Sequence, residues 1–318
     1  MEAGPVLLDG GLATELERAG HDISGDLWSA TLLQDAPAAV LAAHRAFFDA
    51  GARLATTASY QASFEGFAAA DIDAAGTRRL LRRSVDLARE AAGGLPGRWV
   101  AASVGPYGAM LAGGQEYTGE YARRAGGSSG GGGGLSVGQL RAWHRPRLEV
   151  LAEAGPDLLA CETIPAAAEV EALLAEIDSL GVPAWLSLTT VTGADGVVRT
   201  RLGEPAAEAF ALARGVDAVI AVGVNCTDPA GVTAAVGVAA AASGKPVVLY
   251  PNSGESWDGP ARRWRGRPDF EAADVAGWVG AGARLVGGCC RVGPDQIRAL
   301  SRALTARPKP EPERHPAG

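Results

Sequence analysis

Eight short runs rich in β-branched or apolar residues recur along the chain and constrain its fold more than any other feature. They are PVLLDG (5–10), ARLATTASY (52–60), RWVAASVGP (98–106), DLLACETI (157–164), PAWLSLTT (183–190), AVIAVGVNC (218–226), PVVLYPN (246–252) and RLVGGCC (284–290). Runs such as AVIAVGV and PVVLY are apolar on both faces, which suits strands covered by helices, as in a parallel sheet. Helical patterns separate them. In AEVEALLAEIDSL, residues Val170, Leu173, Leu174, Ile177 and Leu180 share one face. PDQIRALSRAL opens with a proline suited to a first turn and repeats Ile297, Leu300 and Leu304. Gly51, Gly155, Gly181, Gly215, Gly244 and Gly282 stand just ahead of strand runs, where glycine most readily takes the left-handed turn that ends a helix. One βα unit repeated eight times predicts a single-domain (β/α)8 TIM barrel over residues 1–304. An open doubly wound sheet is the structural alternative.

Composition narrows the partners. Of 318 residues, 47% are hydrophobic and 20% charged, enough to build a full core without disulfides. A net charge of −7, with no basic stripe and few aromatics, argues against nucleic acid. The start MEAGPVLLDGG lacks a basic region and a sizeable apolar region, and no stretch reaches the ~20 apolar residues of a spanning helix. A cytoplasmic protein without membrane contact is expected, and its four cysteines are expected as thiols rather than disulfides. The Gly/Ser-rich segment ARRAGGSSGGGGGLS, 122–136, reads as a loop insert after the third strand that cannot order itself by burial. The Pro-rich, charged tail 305–318 reads as disordered. Nothing in the sequence sets an oligomeric state.

In a parallel barrel the site forms where the strands end, so the last residues of the runs belong together. They include Asp9, Gly10 and Gly11; Thr57 and Ser59; Glu162 and Thr163; Asn225 and Cys226; Asn252; and Cys289 with Cys290. Strand eight neighbours strand one and lies two places from strand six, so three sulfurs can converge over one quadrant of the mouth. Three thiolates with an open fourth position describe a catalytic zinc site, and soft sulfur ligands favour zinc over magnesium or calcium. The bland alternatives are small buried hydrophobes and a strained vicinal disulfide. Cys161 alternates with Glu162 and so faces the helices if Glu162 faces the site. Asp9 reads either as a ligand contact, its glycines letting a ligand approach backbone amides, or as a solvated turn residue. Glu162 reads as a site carboxylate or as a cap of the helix opening near Pro165. Two carboxylates plus exposed amides suit a ligand bearing both an ammonium and a carboxylate. None of His21, His44, His144 and His315 ends a strand, which leaves a histidine metal ligand or a Ser-His-Asp triad unsupported.

The stretches LLDGGLATELERAG, DLWSATLL, TTASYQAS, CETIP, VGVNC and LVGGCC resemble the zinc-dependent homocysteine S-methyltransferases, a family that includes betaine–homocysteine methyltransferase and the homocysteine-binding module of cobalamin-dependent methionine synthase. The resemblance runs from Leu7 to Cys290, and VGVNC followed some sixty residues later by GGCC is its most specific part. It implies that Cys226, Cys289 and Cys290 hold Zn2+. It also implies that Asp9 and Glu162 hold the homocysteine ammonium, that the backbone at Gly10 and Thr57 receives its carboxylate, and that Asn225 supports the first zinc ligand. The short length is most similar to the branch that uses S-methylmethionine, and LWSATLL with Trp28 and QEYTGEY with Tyr117 resemble segments lining its substrate entrance. The Gly/Ser insert directly after TGEY is a departure. The implied reaction gives methionine from homocysteine and a sulfonium donor, S-methylmethionine or S-adenosylmethionine. Selenocysteine as acceptor and betaine as donor are alternatives within the resemblance. Outside it stand a structural or storage zinc-thiolate protein and a barrel lyase, although neither lysine, Lys245 or Lys309, ends a strand.

Overall fold

The computed structural model describes residues 4–23, 25, 27, 30–123, 133–258 and 263–305. Each of the eight apolar runs contributes one parallel strand: β1 Val6–Leu7, β2 Leu54–Thr56, β3 Trp99–Val104, β4 Leu158–Ile164, β5 Ala184–Leu188, β6 Val219–Asn225, β7 Val247–Tyr250 and β8 Ala283–Val286. Each strand pairs with its sequence neighbour from β2 through β8. The ends of this sheet meet: Val6 pairs with Leu285 in β8, and Leu8 bridges Leu54 in β2. Bonds from Arg53 N–H to Leu7 O (2.7 Å) and from Asp9 N–H to Leu54 O (3.0 Å) join that seam. The ring is a (β/α)8 barrel, and the open-sheet alternative is excluded.

Strand alternation sorts the core into two compartments. Leu8, Leu54, Ala101, Leu158, Ala160, Trp185, Ala221, Val248 and Tyr250 fill the interior. Residues one position along, such as Val100, Ala102, Leu159, Cys161, Val222 and Leu249, pack outward against helices. The six glycines that precede strands all take positive φ.

Two βα loops are enlarged by antiparallel hairpins, Thr190–Thr192 with Val198–Thr200 and Ser256–Asp258 with Arg263–Arg265. The loop after β3 is built differently from the sequence expectation for 122–136. Its near end is a short turn, Glu120–Ala122. Its far end is a helix cap: Ser136 receives a bond from Gln139 N–H, and the Gln139 side chain accepts from the Ser136 amide, a capping box that starts the helix Val137–Glu153. Gly134 N–H and Leu135 N–H bond Arg123 O and Tyr121 O, so polar backbone bonds order both ends. Residues 124–132, the tail 306–318 and Trp28 lie outside the described residues. No described helix is long and apolar enough to cross a membrane.

Candidate metal centre and substrate cavity

The strand C-termini surround a cavity whose wall carries Cys226, Cys289 and Cys290. Cys226 follows β6, and the Cys289–Cys290 pair follows β8. Their three sulfurs lie within 4.8 Å of one another, with Cys289 Sγ and Cys290 Sγ 4.0 Å apart. Sulfurs bound at ~2.3 Å to one tetrahedral ion sit roughly 3.8 Å apart, so the thiols fit a single metal with small adjustments. Among the described residues no histidine, carboxylate or fourth cysteine joins the cluster, which leaves one coordination position for a ligand. Cys161 is fully buried in the outer core, and burial pushes its thiol up to about 12. All four cysteines are free thiols, so the vicinal disulfide is absent.

The cluster's protons are shared unequally. Hydrogen bonds from Cys226 and Cys289, with a further one from Tyr117, hold the Cys290 thiol well below its ordinary range. The bond to Cys226 pushes Cys289 the other way. A thiolate therefore forms more easily at one corner of the cluster than an isolated buried cysteine allows.

Asn225 fixes the approach to Cys226. Its Oδ1 accepts from Thr163 N–H and Ser187 Oγ, both at 2.7 Å, and its Nδ2 donates to Thr163 Oγ1 at 2.7 Å. Its side chain thus ties β4, β5 and β6 together at the cavity wall. Thr163 (φ 61°) and Cys226 (φ 47°) both occupy the left-handed region, a strained conformation for residues with a Cβ that the Asn225 clamp helps to hold.

Glu162, 7% exposed, lines the cavity; Ser103 donates to its carboxylate and the Tyr250 hydroxyl contacts it. Burial pushes its pKa up to about 7. The helix-cap alternative does not apply: Glu162 is bonded to Ser103, and it is Glu204 Oε2 that accepts from Ala167 N–H (2.8 Å) at the start of the next helix, Ala167–Ile177. Asp9 is buried beside this wall and accepts from Thr56 N–H (2.7 Å) and Thr56 Oγ1 (3.1 Å), so it is not a solvated turn residue. Burial pushes it up to about 8.

The expectation for Thr57 is corrected by a backbone contact, and the glycines around the mouth are bare for packing reasons. The Thr57 amide already donates to Ala101 O at 3.0 Å, so it is not free to receive a ligand carboxylate; the Thr57 hydroxyl instead bonds Ser59 Oγ and the Ser103 amide. Gly10 and Gly11 line the cavity, but their bare faces accommodate the protein itself. A Cβ on Gly10 would lie 2.3 Å from Val292 O and one on Gly11 2.6 Å from Cys289 O, and the Gly11 amide donates to Val292 O. Neither Gly287 nor Gly288 makes a positive-φ turn. They are bare because Gly287 abuts Asp9 O and Gly288 abuts Val292, so LLDGG and LVGGCC pack face to face.

Tyr117 lines the cavity from the turn Gln115–Tyr117 after β3, with the Arg201 guanidinium over its ring at 5.5 Å from the centroid. Its neighbour Glu116, which the sequence reading passed over, also lines the cavity and is 2% exposed. Burial pushes Glu116 up to about 7. Gln61, just past TTASY, is a second residue missed; both sit in loops, where the only advance sign is polarity beside a strand end. His44 and His144 are buried in helices away from the cavity. Lys245 donates through Nζ to Val216 O at 3.0 Å, ahead of β6 and β7 and so at the opposite barrel end, where it cannot serve as a Schiff-base residue. Lys309 lies outside the described residues.

Fold and site together define a barrel enzyme whose catalytic mouth carries a three-thiol cluster able to hold a metal ion, set among buried acids. A profile of the homocysteine S-methyltransferase family matches residues 6–304. Homocysteine S-methyltransferase of Escherichia coli (strain K12) is 41% identical over 93% of this chain and 94% of its own. Homocysteine S-methyltransferase 4 of Zea mays is 40% identical over 95% and 90%, respectively. The crystal structure of the E. coli homocysteine methyltransferase MmuM in its metallated form superposes with a TM-score of 0.80 at 38% identity, covering 94% of this chain and 96% of that one. The chain belongs to the homocysteine S-methyltransferase family; it is a methyltransferase acting on homocysteine with a methyl donor as second substrate.

Proposed function

We propose that the protein is zinc-dependent and transfers a methyl group from a sulfonium donor, S-methylmethionine first, to homocysteine. The observation that carries this reading is the cluster of three sulfurs within 4.8 Å in the wall of an acid-lined cavity. An all-thiolate set favours zinc among common ions. Bound there, zinc would supply Lewis acidity that keeps a thiol in the fourth position deprotonated at neutral pH.

The chain's own residues do the rest. Glu162, held by Ser103 and Tyr250, and Asp9, held by Thr56, receive the homocysteine ammonium, whose charge favours their ionised forms. Gly10 contributes to the wall beside the ligand's carboxylate, a role that Thr57 does not share, because its amide and its hydroxyl are both bonded within the protein. Asn225 aims Cys226. Tyr117 covers the cluster from the β3 loop and limits water. Loss of the donor's sulfonium charge in the transition state is favoured by such a poorly solvated wall.

The test is metal analysis alongside a methyl-transfer assay with S-methylmethionine, S-adenosylmethionine and betaine. The expected result is about one zinc per three-thiolate site, and two methionines for each S-methylmethionine consumed. Cys289→Ala is expected to lose both metal and transfer. Full activity of metal-free protein would sink the zinc reading, and a preference for betaine would sink the donor assignment.

A further inference from the structure

The cavity holds one more buried carboxyl than an acceptor amino acid requires. With Asp9 and Glu162 assigned to homocysteine, Glu116 has no task. It is 2% exposed, and its Oε2 has no hydrogen-bond partner among the described residues. Gln61 repeats the pattern in the same wall. Its Nε2 donates to Ala109 O at 2.8 Å, a bond only the amide NH2 end can make, and its Oε1 is buried and unpartnered. Leaving a buried acceptor without a donor costs about 1–3 kcal/mol, more for a charged one. Two such acceptors in one ligand cavity need a shared explanation.

Both orphaned atoms can only accept when Glu116 is ionised, so the missing partner supplies N–H or O–H donors, and the negative charge selects a cation. A primary ammonium has three donors and fits both. A sulfonium or quaternary ammonium carries charge but no hydrogen to donate, and leaves both orphans unmet. The location adds a second constraint. Glu116 from the β3 loop, Glu162 from β4 and the three sulfurs line one cavity, so two acids from different elements share the wall with the thiol cluster. Two ammonium sites around one cluster correspond to two amino-acid ligands held together.

Resting on the methyl-transfer reading above, we propose that Glu116 and Gln61 bind the α-ammonium of the methyl donor, which restricts the donor to sulfonium amino acids. Binding here is noncovalent; the two side chains position the donor and take no part in breaking its methyl–sulfur bond.

The experiment compares S-methylmethionine with dimethylsulfoniopropionate, a sulfonium that lacks the amino group, by calorimetric titration of zinc-loaded protein, alongside separate KM values for donor and homocysteine. Glu116→Gln is expected to weaken S-methylmethionine about tenfold to a hundredfold, the range of a hydrogen bond to a charged group. Its affinity for the amino-free sulfonium, its homocysteine KM and its zinc content should stay at wild-type values. Gln61→Leu should shift the same donor preference in the same direction. The melting temperature separates recognition from a structural role: removing an unpaired buried carboxyl should leave ligand-free Glu116→Gln as stable as wild type or more so. Unchanged donor affinity and KM in both variants, equal loss for both sulfoniums, or loss of zinc would overturn the proposal. If wild type binds the sulfonium amino acid but transfers no methyl group, the methyl-transfer reading fails while the affinities still decide the role of Glu116.

Discussion

Asn225 spends its side chain on Thr163 and Ser187, and that expenditure explains why a cysteine can hold φ 47° at the end of β6. Strain of this kind costs about 1–3 kcal/mol per residue and persists only where surrounding bonds impose it. Replacing Asn225 with Leu leaves the Ser187 hydroxyl and the Thr163 amide without their partner and frees Cys226 to relax. Zinc affinity, read by competition with a chromophoric chelator, is expected to fall roughly tenfold to a hundredfold, as for other groups that orient a metal ligand. Undiminished affinity would show that Cys226 needs no such support. The cysteines themselves were legible because they end strand-like runs, whereas the clamp was not: Asn225 is visible as a residue, but its bonds reach β4 and β5, over sixty and nearly forty residues away. Glu116 and Gln61 were illegible for a related reason. An acid and an amide in polar loops look solvated until the loop is seen to fold over the barrel mouth.

At the scale of elements, the β3 loop is fastened by a charge relay that the sequence conceals. Glu169, on the helix Ala167–Ile177, accepts from Tyr107 N–H (2.7 Å), Tyr121 Oη and His144 Nε2 (2.8 Å). Burial, with the Arg147 charge beside it, pushes His144 down to about 4, so the ring is neutral and accepts at Nδ1 from Arg147 while donating at Nε2 to Glu169. Arg147 also bonds Gly105 O. The apolar stripe Val170, Leu173, Leu174, Ile177 located this helix correctly, but a glutamate next to that stripe reads as exposed when it is fully buried. Strands and helix-ending glycines were readable because periodicity and positive φ are local properties; burial of Glu169 depends on two neighbouring helices and a loop. Glu169→Gln leaves Arg147 uncompensated and weakens the ties to Tyr107 and Tyr121. A loss of about 3 kcal/mol is expected, in line with breaking a buried ion network. Hydrogen exchange should rise selectively across 107–122, the segment bearing Glu116 and Tyr117. Exchange that rises equally in all barrel strands would mean the relay supports the core rather than the loop.

For the whole molecule, the acid-lined mouth sets stability against function. Asp9 is pushed up to about 8, and Glu116 and Glu162 to about 7, chiefly by burial. In the unfolded chain such acids ionise near 4. Between that value and their folded values the native state binds the extra protons, so stability falls as pH rises. His44 and His144, both pushed down to about 4 by burial, act oppositely between about 4 and 6.5, and the low Cys290 thiol also opposes the acids. A single pH profile therefore mixes several groups, but a difference between two proteins that share the histidines and thiols isolates one acid. Asp9→Asn keeps the acceptor for the Thr56 amide and removes the buried charge. In metal-free, reduced protein its melting temperature should match wild type near pH 4 and exceed it progressively toward pH 8, on the order of 1 kcal/mol per pH unit. A gap that does not widen with pH would mean that Asp9 ionises without penalty. Homocysteine should then close the gap in wild-type protein only, because its ammonium compensates a carboxylate that the asparagine no longer offers.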